Sequence, residues 1–338
     1  MMQAAVFEGL GQPLRIERVA IPKPGPGEVL LKVRRCGICG SDLHMTQEAA
    51  FGLRPGDILG HEFAGEVVET GSQVDTLRVG QSVAVVPYRS CGHCVECLSG
   101  NPAWCADMVL IGGGYGEYAC VSARQCVPLP QGASFVEGAL VEPLAVALHG
   151  VEKAGLRPGQ SVVIIGAGPI GLAVAFWARR FGARQVVVQD VNPQREALAH
   201  AMGATHFVCV SDTPAEPVAA NQADIVFECV GAPGLISQAM SLLRTRGTLL
   251  ILGLCTRVDS FVPFAAVSKE LRIQTSAFFD QREYEASLDV LASGAAEPLM
   301  MVSGETKLQA LPALFESLKK SGPHCKVMIC HDHSMPLA

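Results

Sequence analysis

Apolar and polar positions alternate in short runs over roughly the first 150 residues, about one domain's length. The runs at 3–7, 28–34, 66–70, 82–86 and 117–121 read as strands, punctuated by Gly and Pro clusters such as Lys23-Pro-Gly-Pro-Gly. Short strands with frequent turns predict a small β-barrel or irregular β domain. At 156–160, Leu-Arg-Pro-Gly-Gln, the texture changes, and strand-like runs begin to alternate with helical ones. Residues 161–165 predict a strand, 169–181 a helix, 185–189 a strand and 193–202 a helix, with further strands at 225–229, 248–252 and 273–275. That alternation implies βαβ units on a parallel sheet. Helical patterns at 283–292 and 308–319 and a strand pattern at 325–330 follow. The boundaries expected are 1–150 for the first domain, completed by a returning tail of about 286–338, and 151–285 for the second.

Composition supports two packed domains in a chain of 338 residues: 49% of positions are apolar and 17% charged, which excludes a disordered polymer. Lys plus Arg is 26 against 32 Asp plus Glu, a net charge of −6, so nucleic acid and anionic membrane are not expected partners. The longest apolar stretch, 161–178, is broken by Gly166, Gly168, Pro169 and Gly171 and is too short to span a bilayer. The first residues lack a basic segment followed by an apolar one, so a cytoplasmic, soluble protein is expected. Thirteen cysteines in a reducing compartment point to metal rather than disulfides where they cluster. His331-Asp-His333, near the end, reads as a solvated terminus rather than a metal site.

The run Val162-Val-Ile-Ile-Gly166-Ala-Gly168-Pro169-Ile170-Gly171 carries the G-x-G-x-x-G spacing between an apolar strand and an apolar helix. In that context Gly166 permits a tight turn, Gly168 admits a pyrophosphate close to the backbone, and Gly171 lets helix and strand pack. The helix N-terminus offers free N–H groups and a positive dipole end to the phosphates. Asp190 closes the second strand 19 residues after Gly171, where a carboxylate holds the adenosine ribose 2′-hydroxyl and repels a 2′-phosphate. NAD is therefore expected over NADP, with Arg195 one turn away lining the adenine pocket or contacting phosphate.

Cys91, Cys94, Cys97 and Cys105 stand in a C-x2-C-x2-C-x7-C run. Four thiolates suit a closed, structural tetrahedral zinc; an iron–sulfur cluster is the rival and a redox pair the weaker reading. His93 is read as a loop residue.

Arg35-Cys36-Gly-Ile-Cys39-Gly-Ser41-Asp42-Leu-His44 and Leu59-Gly60-His61-Glu62 precede that loop. Together with the four-cysteine run and Gly-Ala-Gly-Pro-Ile-Gly, they resemble the zinc-dependent medium-chain dehydrogenase/reductase family over essentially the whole chain. Val141-Glu142-Pro-Leu-Ala-Val-Ala-Leu-His149 is similar to the branch of sorbitol, L-idonate and threonine dehydrogenases; typical ethanol dehydrogenases carry cysteine where Glu142 stands. The resemblance implies a GroES-like β-barrel catalytic domain plus a Rossmann doubly wound domain. It implies two zincs per chain and NAD. It makes Cys39, His61 and Glu62 ligands of a catalytic zinc, with Glu142 a fourth ligand or the holder of its water, and leaves Cys36 a packed thiol. A proton is expected to leave through Ser41, the cofactor ribose and His44, while Asp42 orients a ligand imidazole. Lys326 falls where the family often sets a basic residue near the cofactor phosphates. Gly231 and Gly253 end strands at the face expected for the nicotinamide half.

The expected activity is hydride transfer between NAD and a secondary alcohol, favouring a polyol, sugar alcohol or sugar acid. The alternatives are oxidation of a 1,2-amino alcohol of the threonine type and, from another class, a non-catalytic zinc-stabilised binding protein. A zincless quinone reductase has no need of Cys39, His61 and Glu62 together. Substrate-facing positions are expected around 46–51, 111–115 and 278–279, and the oligomer is expected to be a tetramer or a dimer.

Overall fold

A computed structural model describes residues 1–210, 222–320 and 322–332. The chain divides into two compact units: Met1–Glu142 with Asp280–Ala295 and Val302–Ala338, and Pro143–Phe279 with Ala296–Met301. Among the described residues no helix is long and apolar enough to cross a membrane.

The first unit is built on a seven-stranded sheet ordered Val302–Lys307, Lys326–Cys330, Glu28–Gly37, Glu62–Thr70, Ser82–Val85 and Cys126–Pro128, with Tyr118–Ser122 also pairing Glu28–Gly37. Glu28–Gly37 thus forms the hub of the sheet. Its ladder with Glu62–Thr70 is antiparallel and slips register between Leu30 and Leu31 and between Val33 and Arg35, and such bulges increase local bend and twist. Val29, Leu31, Val33, Phe63, Val67 and Val85 are buried in the core, against which Leu311 and Phe315 of the C-terminal segment pack. These β-branched and large apolar residues drive the fold by removing their side chains from water. The tail strand Lys326–Cys330 pairs antiparallel with Glu28–Gly37, so the end of the chain completes the sheet begun at its start. His331 follows the strand, is buried, and places Nε2 3.0 Å from the Gly114 carbonyl, while Asp332 accepts hydrogen bonds from Arg34 and Arg35. The expected solvated terminus is therefore corrected as far as Asp332, because sheet pairing carries these residues inward; His333 lies outside the described residues.

The second unit is a six-stranded, all-parallel sheet ordered His206–Cys209, Gln185–Asp190, Ser161–Ile165, Ala223–Glu228, Leu243–Ile251 and Arg272–Thr275. Counted along the chain this is the 3-2-1-4-5-6 order of a Rossmann sheet, with its switch point between the first and fourth strands. Every residue of Ser161–Ile165 is buried, as expected of a strand covered on both faces. The helix Phe135–Lys153 escapes the sequence pattern. It is apolar nearly all round and holds Pro143 in its interior, so it shows no amphipathic period and carries a residue that normally breaks helices.

Candidate active site

Three chain segments of the first unit converge on one group of donors. The hub strand ends at Gly37, and Cys39 caps the six-residue helix Gly40–Met45. His61 immediately precedes the neighbouring strand, whose first residue, Glu62, is paired with Gly37. The Cys39 thiol, a His61 ring nitrogen and a Glu62 carboxylate oxygen all lie within 4.8 Å of one another. A thiolate, an imidazole and a carboxylate at this spacing fit a catalytic zinc that keeps a position open.

Asp42 fixes the imidazole. Its Oδ1 is 3.1 Å from His61 Nδ1, so with the proton on Nδ1 the lone pair of Nε2 is left for a metal. Ser41 Oγ lies 3.4 Å from that Nε2. Asp42 Oδ2 accepts from the Cys39 N–H at 3.1 Å and from the Tyr115 hydroxyl at 2.6 Å. Burial opposes ionisation of both partners, yet their mutual attraction outweighs it: Asp42 is held below the usual carboxylate range and His61 is raised well above an ordinary histidine. Glu142 is buried on the helix Phe135–Lys153 and stands outside the three-donor group; burial first, and then the Glu62 and Asp42 charges, push it up to about 7 against the opposing pull of His61 and Lys326. His44 is half-exposed, with Nδ1 3.7 Å from Glu48 Oε1.

Lys326 bonds directly to one of the three donors. It is 1% exposed, and its Nζ donates to both Glu62 oxygens at 2.7 Å and to the Ile38 carbonyl at 3.1 Å. Its position beside the hub strand turns it onto Glu62. Burial alone would lower its pKa; the Glu62 carboxylate and the Cys39 charge outweigh that and raise it. Of the expected substrate-facing positions, Ile111 lines a cavity of about 270 Å³ together with Met45, Leu53, Asp57 and Leu110, bordered by His61 and Asp42, whereas Thr46 and Tyr115 are fully buried.

The four cysteines form a second centre, with their sulfurs all within 4.8 Å. Cys91 and Cys97 are 3.9 Å apart and Cys94 and Cys97 3.5 Å. A tetrahedron of Zn–S bonds near 2.3 Å has edges of roughly 3.8 Å, whereas a cluster of several irons spreads its cysteines further. Backbone N–H groups of Gly92, Cys94 and Asp107 donate to Cys97, Cys91 and Cys105 sulfurs, and a hydrogen bond from Ser90, helped by Gly92, brings Cys97 down to about 6. The loop thus favours the thiolate, the form that binds metal, at Cys97, while at Cys94 a backbone hydrogen bond from Cys97 is outweighed by burial and the neighbouring sulfurs, which push the thiol up to about 11. His93 is exposed and turned to the Cys91 carbonyl. Cys36 is buried and donates to the Gly37 carbonyl.

In the second unit, Gly166 takes φ +102° at the end of the first parallel strand, and Gly168 caps the helix Pro169–Arg180. A Cβ on Gly171 would strike the Gly166 carbonyl, whereas open space lies before Gly168. Close packing on one side and room for a phosphate on the other fit a dinucleotide, with the first-turn N–H groups of Ile170 and Gly171 available. Asp190 ties the turn to the second strand: Oδ2 accepts from the Ala167 N–H at 2.6 Å and Oδ1 from the Asn192 N–H at 2.8 Å. Arg195 ends the turn Pro193–Arg195 just beyond. Gly231 and Gly253 meet at the far side of the switch point, where a Cβ on Gly253 would strike the Gly231 nitrogen. Glu228, which the sequence reading passed over, is 2% exposed and accepts from Val230 and Gly231 N–H groups at 2.7 and 2.9 Å. Its only signal is an acid inside the apolar run Ile225-Val-Phe-Glu-Cys-Val.

A thiolate–imidazole–carboxylate centre in a β-barrel unit, joined in one chain to a Rossmann unit, defines a zinc- and nicotinamide-dependent dehydrogenase. The chain belongs to the zinc-dependent alcohol dehydrogenase family of the medium-chain dehydrogenases/reductases: residues 25–131 match the alcohol dehydrogenase GroES-like domain and residues 169–293 the zinc-binding dehydrogenase domain. It is 33% identical to sorbitol dehydrogenase of Bacillus subtilis (strain 168), covering 97% of each chain. It is 34% identical to L-idonate 5-dehydrogenase (NAD(P)(+)) of Escherichia coli (strain K12), covering 82% of this chain and 84% of that one. A solved structure described as a zinc-binding dehydrogenase of Sinorhizobium meliloti 1021, bound to NADP, superposes with a TM-score of 0.89 at 35% identity, covering 98% of this chain and 99% of that one.

Proposed function

We propose that this chain interconverts a secondary alcohol of the polyol, sugar-alcohol or sugar-acid class and the corresponding carbonyl compound, with NAD as hydride carrier. The observation that carries the reading is the convergence of Cys39, His61 and Glu62, with His61 oriented by a buried Asp42. The barrel unit is the catalytic domain and the parallel-sheet unit the NAD-binding domain. When bound, zinc acidifies an alcohol hydroxyl as a Lewis acid and the nicotinamide accepts hydride from the carbinol carbon.

The protein's own groups do the rest. Cys39, His61 and Glu62 hold the metal, and Glu142 is the nearby carboxylate fitted to be a fourth ligand or to orient a water. Asp42 accepts from Nδ1 of His61 and so turns Nε2, made more basic by that carboxylate, toward the metal. The Ser41 hydroxyl would relay the alcohol proton, giving up its own proton as it accepts one, by way of the cofactor ribose to His44, which is half-exposed and would release it to solvent. Cys91, Cys94, Cys97 and Cys105 hold a second, structural zinc that clamps their loop. Asp190 presents a fixed carboxylate at the adenosine ribose, favouring NAD over NADP. Gly166, Gly168, Pro169, Ile170 and Gly171 shape the pyrophosphate turn, with Arg195 beside the adenine and Gly231 and Gly253 beside the nicotinamide. A homo-oligomer, a tetramer or dimer, is supported by the exposed apolar side chains of Val262, Phe264 and Val267, which shortly precede the edge strand Arg272–Thr275 in the chain.

The test is NAD reduction across polyols, sugar acids and amino alcohols, with metal content measured in parallel. Two zincs per chain and turnover of a polyol or sugar acid are expected, and Cys39→Ser should lose turnover and one zinc while retaining NAD binding. A Cys39→Ser variant with unaltered activity removes the ligand assignment; turnover confined to amino alcohols removes the substrate class.

A further inference from the structure

We infer that Tyr115 is a positioning residue for the catalytic metal, acting on the ligand His61 through Asp42. The inference rests on the reading that Cys39, His61 and Glu62 hold zinc. Asp42 is 1% exposed and Tyr115 fully buried, so the hydrogen bond between them forms away from water. The Tyr115 hydroxyl donates to Asp42 Oδ2 at 2.6 Å, a short charge-assisted bond, while Asp42 Oδ1 faces His61 Nδ1 at 3.1 Å. One carboxylate is thus pinned from behind by a phenol and from the side by the Cys39 N–H, and it presents its remaining oxygen to the imidazole. A carboxylate held at three points has little freedom to rotate, and the ring it orients inherits that rigidity. Outer partners of this kind typically contribute 10–100-fold to metal affinity.

The hydroxyl is separable from the rest of the side chain. The ring of Tyr115 covers Gly60, whose φ of +86° and missing Cβ make room for it, and meets Phe315 edge-on with centroids 6.3 Å apart. Its backbone is fastened independently: the Tyr115 N–H donates to the Leu59 carbonyl at 3.0 Å, and the Tyr115 carbonyl accepts from Ala5 at 2.9 Å. Phenylalanine keeps all of these contacts and deletes one oxygen. The purely packing role and the positioning role therefore make different predictions for the same variant.

The experiment uses the zinc-loaded full chain. Wild type and Tyr115→Phe are challenged with a chromogenic chelator, the release of each zinc is followed, and Cys94→Ser identifies which phase belongs to the four-cysteine centre. The catalytic zinc of Tyr115→Phe should leave about tenfold faster, the low end of the range for outer partners, with the other phase unchanged. With cobalt(II) in the catalytic site, the visible ligand-field bands should shift. In an Asp42→Asn background, Tyr115→Phe should add no further acceleration. Release within twofold of wild type together with unshifted cobalt bands overturns the inference, as does an equal acceleration in the Asp42→Asn background. A wild-type chain that takes up only the four-cysteine zinc overturns the ligand reading and this inference with it.

Discussion

Replacing Lys326 by methionine tests how a buried charge pair supports the site. The side chains of Lys326 and Glu62 are each 1% exposed. An ammonium has three N–H donors, and here they meet three acceptors: both Glu62 oxygens at 2.7 Å and the Ile38 carbonyl at 3.1 Å. Methionine fills similar space but leaves the Glu62 carboxylate dry and without its cation. Breaking a buried pair from one side costs about 3–5 kcal/mol, which for a domain of 150–250 residues lowers the melting temperature by about 6–20 °C. Zinc held by Glu62 returns a positive charge to that carboxylate, so the loss should be smaller in zinc-loaded protein. The assay is thermal unfolding of Lys326→Met and wild type, each zinc-loaded and stripped by chelator. A stripped variant that melts within about 2 °C of wild type, less than 1 kcal/mol on that scale, refutes the reasoning, and equal losses with and without zinc refute the link between Glu62 and the metal.

Cys94→Ser should lose one zinc per chain and melt earlier, while the turnover remaining at matched folded concentration stays close to wild type; metal analysis with calorimetry checks it, and full metal content with unchanged stability argues against a structural centre. Asp190→Ala should lower the preference for NAD over NADP by about 10–100-fold, the value of hydrogen bonds to a charged group, and weaken NAD binding because the Ala167 and Asn192 N–H groups lose their acceptor. Steady-state kinetics with both cofactors reads the ratio, and an unchanged ratio removes Asp190 from cofactor choice.

Spacing carried much of the site into view. The four-cysteine run, the glycine turn between strand and helix, and Asp190 at the end of the next strand are local signatures, because a tight turn, a tetrahedral loop and a strand end each need particular residues at fixed offsets. The inner strands of the parallel sheet were legible because Ser161–Ile165 and Gln185–Asp190 are apolar runs separated by a helical stretch, whereas the edge strand His206–Cys209, short and only partly buried, matched no expected strand. The helix Phe135–Lys153 was not, since a segment buried on most sides shows no period to read. A lysine in an otherwise apolar strand gives no sign of which way it faces, and only the pairing of Lys326–Cys330 beside Glu28–Gly37 turns Lys326 onto Glu62; in the same way nothing local to Tyr115 shows that its hydroxyl meets Asp42.

The sequence by itself therefore determined the chemistry available: thiolates, an imidazole and carboxylates in motif spacing, and a dinucleotide turn. Tertiary structure alone decided which of these groups meet. Residues 39, 61–62, 115 and 326 are far apart along the chain, and the tertiary fold brings them into one cluster, buried except for half-buried Cys39, in which Asp42 faces both His61 and Tyr115 while Lys326 neutralises Glu62. Hydrogen bonds and ion pairs of that kind depend on distances of about 3 Å, and those distances are set by register and packing across the fold, which no local pattern of residues encodes.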